Sequence, residues 1–185
     1  MKKFMPLTRV LTGAVAVAAL GAGTVGAVAA NASAPAAAVP AAVKADAANR
    51  DLHQTTHLTV AAATRAAQAV LEAARDENQR VTVAVVDRNG NTVVVLRGDG
   101  AGPQSYESAE RKAYTAVSWN APTSELAGRL RQTPNLKDIP GTLFLGGGAP
   151  VRAEGAPIAG IGVAGAPSGD LDERFARAGV AALAG

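Results

Sequence analysis

Between Val60 and Leu183 the spacing of apolar positions switches between helical and strand periods, and each switch marks an element. Val60 to Ala74 is Ala-rich with Val and Leu on one face, which predicts a helix over about 60–77 capped by Thr59. Val81–Asp87 and Thr92–Arg97 are β-rich runs joined through Arg88-Asn89-Gly90-Asn91, and Asn-Gly is the strongest short hairpin signal. Their near-continuous valines predict strands covered on both faces. Ser105 can cap a helix running to about Trp119, which Ala121-Pro122 breaks, and Thr123 caps a shorter helix to about Arg131. Leu143-Phe144-Leu145 is a short apolar run set up as a strand, and Val151 to Val163 reads as two more strands about a Gly155-Ala156 turn. Asp170 to Leu183 is predicted helical, with Leu171, Phe175, Ala178 and Ala182 on its buried side. Hairpin-linked strands interrupted by helices give an α+β domain, one antiparallel sheet covered by helices.

Ahead of this domain the composition changes. Lys2, Lys3 and Arg9 precede an Ala/Val/Leu/Gly run that ends in Ala30-Asn31-Ala32. That is the pattern of a secretory signal peptide over residues 1–32, with cleavage after Ala32 and Ala29 as the runner-up. The glycines interrupting the run make it a poor membrane anchor. Residues 33–50 are Ala/Pro-rich and are expected to be a disordered linker, which leaves 51–185 as the folded domain. Cleavage also removes the apparent basicity. The 18 Lys+Arg and 15 Asp+Glu of the whole chain become 15 of each once Lys2, Lys3 and Arg9 are gone. A nucleic-acid reading built on the basic pI therefore falls away, and no basic–aromatic interleaving replaces it.

The stretch with the most chemical character is Asp138-Ile-Pro-Gly-Thr-Leu-Phe-Leu-Gly-Gly-Gly-Ala-Pro150. Pro140-Gly141 is a turn signal, the three glycines permit a close backbone approach, and Thr142 carries the only side-chain hydroxyl between them. A P-loop is disfavoured, because Ala149-Pro150 stands where Lys-Ser/Thr is needed. An ordinary connector feeding a buried strand is the plain alternative. This stretch resembles the signature of the GlcG/HbpS-like family. So do Val83-Ala-Val-Val-Asp-Arg-Asn-Gly-Asn91, Ser108-Ala-Glu-Arg-Lys-Ala-Tyr-Thr-Ala116 and Ile158-Ala-Gly-Ile-Gly-Val-Ala-Gly-Ala166. Together these motifs span residues 58 to 185 in the family's order. The resemblance implies a five-stranded, profilin-like antiparallel sheet, an oligomer (an octamer in the family), and a secreted haem-binding protein. It further implies haem degradation with binding of the released iron, and an accessory redox-sensing role beside the extracellular part of a membrane sensor histidine kinase. A corrinoid- or glycolate-linked metabolic role is the alternative within the same fold, and the export signal argues against it.

The chain has no cysteine, and Met1 and Met5 leave with the signal. Disulfides and thiolate ligands are therefore excluded, and a haem b would be held non-covalently. A hydrolase is not supported, since no Gly-x-Ser-x-Gly elbow occurs. The remaining iron ligands are His53, His57, Tyr106, Tyr114, carboxylates, lysines and Thr142. The resemblance puts haem beside the Thr142 loop and raises His57 as the histidine nearer the domain. Thr142 is by itself a weak ligand, as a neutral hydroxyl. Arg111 and Lys112 are candidates for the haem propionates. For iron ions the candidates are Thr142 and two carboxylate pairs at i,i+3 spacing, Glu107 with Glu110 and Asp170 with Glu173. The first pair reads equally as a solvated helical turn, and the second as a capping box with Asp170 as the cap.

Overall fold

The middle of the fold is a strand whose alternate side chains are claimed from both sides. In β1 (Thr82–Asp87), Val83 and Val85 point to one face and Ala84 and Val86 to the other, and all four are buried. β1 pairs antiparallel with β2 (Thr92–Arg97) on one edge and with β4 (Ala156–Ala164) on the other. β4 pairs antiparallel with β3 (Gly148–Ala153), so the order is β2-β1-β4-β3. In this computed structural model, residues 46–184 are described. The expected signal peptide and residues 33–45 of the expected linker lie outside them. Among the described residues no helix is long and apolar enough to cross a membrane.

Two helices cover the face carrying Val83 and Val85. α1 (Val60–Asp76) starts at Thr59, whose hydroxyl accepts from the Ala62 N–H, and it buries Ala63, Ala66, Ala67 and Val70. α4 (Gly169–Ala181) places Phe175 and Ala176 in the same core with Ile161 and Val163. The opposite face belongs to α2 (Ser105–Trp119), through Ala109, Ala113 and Val117. Small residues set that contact. Gly160 and Gly162 of β4 face α2, where a Cβ would stand 2.1 Å from the Ala113 carbonyl oxygen and 2.0 Å from that of Ala109. Helix backbone therefore rests almost directly on sheet backbone. α3 (Thr123–Arg129) follows α2 and packs Leu126 with Phe144 and Trp119.

The α+β architecture stands as read, with four strands rather than five. Leu143-Phe144-Leu145 is not a strand. Phe144 turns into the small cluster with Trp119, its ring 5.7 Å away edge-on, and the Leu143 N–H is satisfied by the Thr115 hydroxyl instead of a strand neighbour. Three further details differ. β2 is an edge strand whose Val93 to Leu96 are only half-buried, so just β1 of the hairpin is covered on both faces. The turn between β3 and β4 is Glu154-Gly155, both at positive φ (52° and 79°), as a two-residue hairpin of the primed type requires. Ser105 and Thr123 are the first residues of their helices rather than caps: their hydroxyls bond elsewhere, to Gly102 O and from Gly148 N.

A candidate site where the hairpin turn, helix α2 and the Thr142 loop meet

One flank of α2 carries exposed Glu107 and half-buried Glu110, Arg111 and Tyr114 at the one-turn spacing that puts them side by side. Arg111 is the hinge of the group. Its Nη2 donates to the Thr142 carbonyl at 2.8 Å, and its Nη1 stands 3.5 Å from Glu107 Oε1. Thr142 is buried at 2% exposure, and its hydroxyl donates to the Ile139 carbonyl at 2.7 Å. No donor among the described residues approaches its remaining lone pairs. The lip is apolar outside: Ile139 and Leu145 are 40% and 57% exposed.

Tyr114 ties this loop to the β1–β2 turn. A Cβ at Gly141 would stand 3.6 Å from one edge of its ring, and a Cβ at Gly90 would stand 3.0 Å from the other. The turn is organised by Asp87, whose carboxylate accepts from the Asn89 and Asn91 N–H groups and from the Asn91 amide. Burial alone would raise the Asp87 pKa, but the Asn91 and Asn89 bonds and nearby His57 outweigh it and hold the carboxyl below its ordinary value. His57 lies 3.7 Å from Asp87 Oδ2 through Nδ1, with Nε2 against the Thr55 hydroxyl at 2.7 Å. Glu110 accepts from the Thr92 hydroxyl at 3.1 Å. One continuous set of contacts thus joins His57, the hairpin turn, Tyr114, Arg111 and Thr142, with Glu107 and Glu110 on its flank. His53 is exposed.

Three predicted site residues are placed elsewhere. Lys112 points under the sheet end, where its Nζ donates to Asp172 Oδ2 at 2.8 Å and to the Val163 carbonyl at 3.0 Å. It is 5% exposed, so it is not open to a propionate. Asp170 and Glu173 do not form an open pair: Asp170 is exposed and Glu173 is buried. Glu173 accepts the Ser124 N–H and hydroxyl at 2.9 and 2.7 Å, and Arg177 at 2.7 Å, and so acts as a cap for α3 supplied from α4. The cap of α4 itself is Ser168, through the Leu171 N–H, rather than Asp170. Among the described residues no group of three His, Asp or Glu side chains is assembled to hold a metal ion.

Asp172 and Ser124 escaped the sequence reading. Phase explains Asp172: besides Glu173, the buried residues of α4 are Asp172, Phe175, Ala176 and Gly179, at i, i+3, i+4 and i+7, whereas Ala178 is half-buried and Ala182 exposed. Counting outward from Phe175 in both directions would have placed an acid on the core face.

The sheet, its two helical layers and the loop latched to α2 make up one small α+β domain. The chain belongs to the HbpS-like family, whose model, "Haem degrading protein HbpS-like", matches residues 58–181. It is 70% identical to a Streptomyces reticuli HbpS double mutant of known structure, over 79% of this chain and all of that one, with a TM-score of 0.77. A PduOC–haem complex is similar at 27% identity and a TM-score of 0.63, covering 69% of this chain and 95% of that one. Among curated proteins, the corrinoid adenosyltransferase PduO of Salmonella typhimurium is 33% identical over 138 residues. That match takes in 72% of this chain and 38% of PduO.

Proposed function

We propose that this is an exported protein that binds haem non-covalently at the Thr142 loop. What carries the reading is the Arg111–Thr142 contact: a guanidinium suited to carboxylates is fastened beside a hydroxyl with free lone pairs, under the exposed apolar Ile139 and Leu145. The family match and the haem complex of a relative support it. The residues fit a labile haem. Thr142 offers iron one neutral oxygen, Ile139 and Leu145 offer apolar cover to a porphyrin, and Arg111 offers its charge to a propionate. Bound haem would supply the redox-active iron. Because Thr142 is buried, its oxygen becomes accessible only when the lip moves, and the bond from Arg111 to the Thr142 carbonyl is the latch on that movement.

The same proposal extends to haem degradation, with released iron taken at Glu107 and Glu110, to an oligomer, and to reporting to a sensor histidine kinase at the cell surface. Titration of the purified protein with haemin is the first test. A saturable Soret shift with pigment extracted by acid-acetone is expected, and no Soret change overturns the proposal. The likeness to PduO favours a corrinoid as the second reading. A parallel titration with aquocobalamin, saturating where haemin does not, would replace haem by that ligand.

A further inference from the structure

At the far end of the sheet from the hairpin turn, the last turn of α1, the start of β1 and the end of β2 enclose a cleft of about 420 Å³. That volume lies within the range of small-molecule sites. Its floor is apolar, from Leu71, Ala74 and Val81. Its walls carry three guanidiniums, Arg75, Arg80 and Arg97, with the amides of Asn78 and Gln79, against one carboxylate, Asp99.

The arginines are placed by the backbone rather than by acidic partners. Asn78 ends α1 with a left-handed φ of 56°, which turns the chain so that Arg80 leaves toward the cleft. Arg80 lies across Gly100, where a Cβ would stand 2.9 Å from its Cδ. Arg97 is anchored through Nε and Nη2 to the Ala101 carbonyl, which leaves Nη1 uncommitted. Among the described residues neither Arg75 nor Arg80 has a carboxylate within ion-pair distance, and neighbouring Glu77 is taken by Arg174. Three guanidiniums sharing a concave surface repel one another, and an anion relieves that repulsion while matching their planar donor forks.

We propose that this cleft binds a small molecule carrying two or more oxyanion groups, a phosphate ester or a polycarboxylate. Recognition is by Arg75, Arg80 and Arg97, and the site is independent of the Thr142 loop. Calorimetric titration of the intact protein at low salt with pyrophosphate, and separately with citrate, is the test. At least one probe is expected to bind with Kd below about 1 mM, weakening as salt is added. Arg75→Gln/Arg80→Gln is expected to weaken that binding about tenfold or more. The exposed Arg75→Glu should do likewise, with thermal midpoint and haemin titration unchanged in both variants. Binding of pyrophosphate alone assigns phosphate esters, and binding of citrate alone assigns polycarboxylates. No saturable heat from either probe, or equal heat from wild type and both variants, overturns the proposal whatever haemin does.

Discussion

Lys112 Nζ lies 2.8 Å from Asp172 Oδ2 with both side chains about 95% buried, so an ion pair spans the sheet end between α2 and α4. Each partner makes a second bond. Lys112 also reaches the Val163 carbonyl, and Asp172 Oδ1 accepts the Ala166 N–H. Burial pushes the Asp172 carboxyl above its ordinary value, with Lys112 and Ala166 pulling the other way. A buried pair of this kind adds little net stability over apolar residues of the same volume, because desolvation offsets the Coulomb attraction.

Breaking it from one side should be costly. Lys112→Met leaves Asp172 buried without its counter-ion, and a loss of about 3–5 kcal/mol is expected in urea unfolding. Lys112→Met/Asp172→Leu removes both charges and should recover most of that loss. A double variant no more stable than the single one would show that the pair fixes the Gly147 turn and the end of β4 by geometry, with charge secondary.

Glu173 gives an acid-limb prediction. Its burial raises the pKa, but the Ser124 hydroxyl and N–H bonds and the Arg177 charge outweigh that and hold it below the usual value. A depressed carboxylate contributes stability above its unfolded pKa and loses it as pH falls through the folded value. Thermal midpoints of wild type should therefore drop from about pH 4.5 downward. Glu173→Gln should lower stability at neutral pH and flatten that drop. Parallel midpoint curves for the two proteins would show that Glu173 is not the group responsible.

What was legible in the sequence was local. The Asn-Gly hairpin and the single-faced helix of Val60 announce themselves within a window of a dozen residues, because turn chemistry and periodicity are short-range. The Gly160 and Gly162 faces were legible as letters but not as a role, since only the approach of α2 makes them obligatory. Leu143-Phe144-Leu145 misled because a three-residue apolar run fits a strand or a side-on anchor, and Trp119 decided the matter from α2. The partnerships of Lys112 and Glu173 span 60 and 49 residues, beyond any local signal. For the candidate site, Thr142, Arg111 and the glutamates were visible as residues. The latch from Arg111 to the Thr142 backbone was not.

Glycine at 162 should be irreplaceable. Gly162→Ala sets a methyl 2.0 Å from the Ala109 carbonyl oxygen, so α2 must lift from the sheet. A loss of about 3 kcal/mol or more is expected, at the upper end of overpacking costs. Gly155→Ala, with nothing within 4 Å and only its positive φ to strain, is the mild control, at about 1 kcal/mol. Equal midpoints for the two variants would contradict the close helix–sheet contact.

Thr142→Val separates ligand from scaffold. The change removes one hydroxyl and its bond to the Ile139 carbonyl, so about 1 kcal/mol of stability is expected to go. A shifted or weakened haemin spectrum, with His57→Ala close to wild type, assigns the oxygen. The reverse pattern assigns the imidazole that rests against Asp87.

The last prediction concerns iron at Glu107 and Glu110. Glu107 is exposed and held only loosely by Arg111, and half-buried Glu110 is tethered by Thr92, one turn further along α2. Two carboxylates supply two to four oxygens, short of a full shell for a hard cation. Uptake by one subunit should therefore be weak, and stronger where a second copy brings further oxygens. Glu107→Gln/Glu110→Gln keeps size and helix propensity while removing the charge. Ferric uptake should fall severalfold, with haemin binding and particle size unchanged. Iron uptake equal to wild type would return the pair to an ordinary solvated turn. Loss of haemin binding instead would show that Glu107 acts by steering Arg111, so that the iron and haem sites are one.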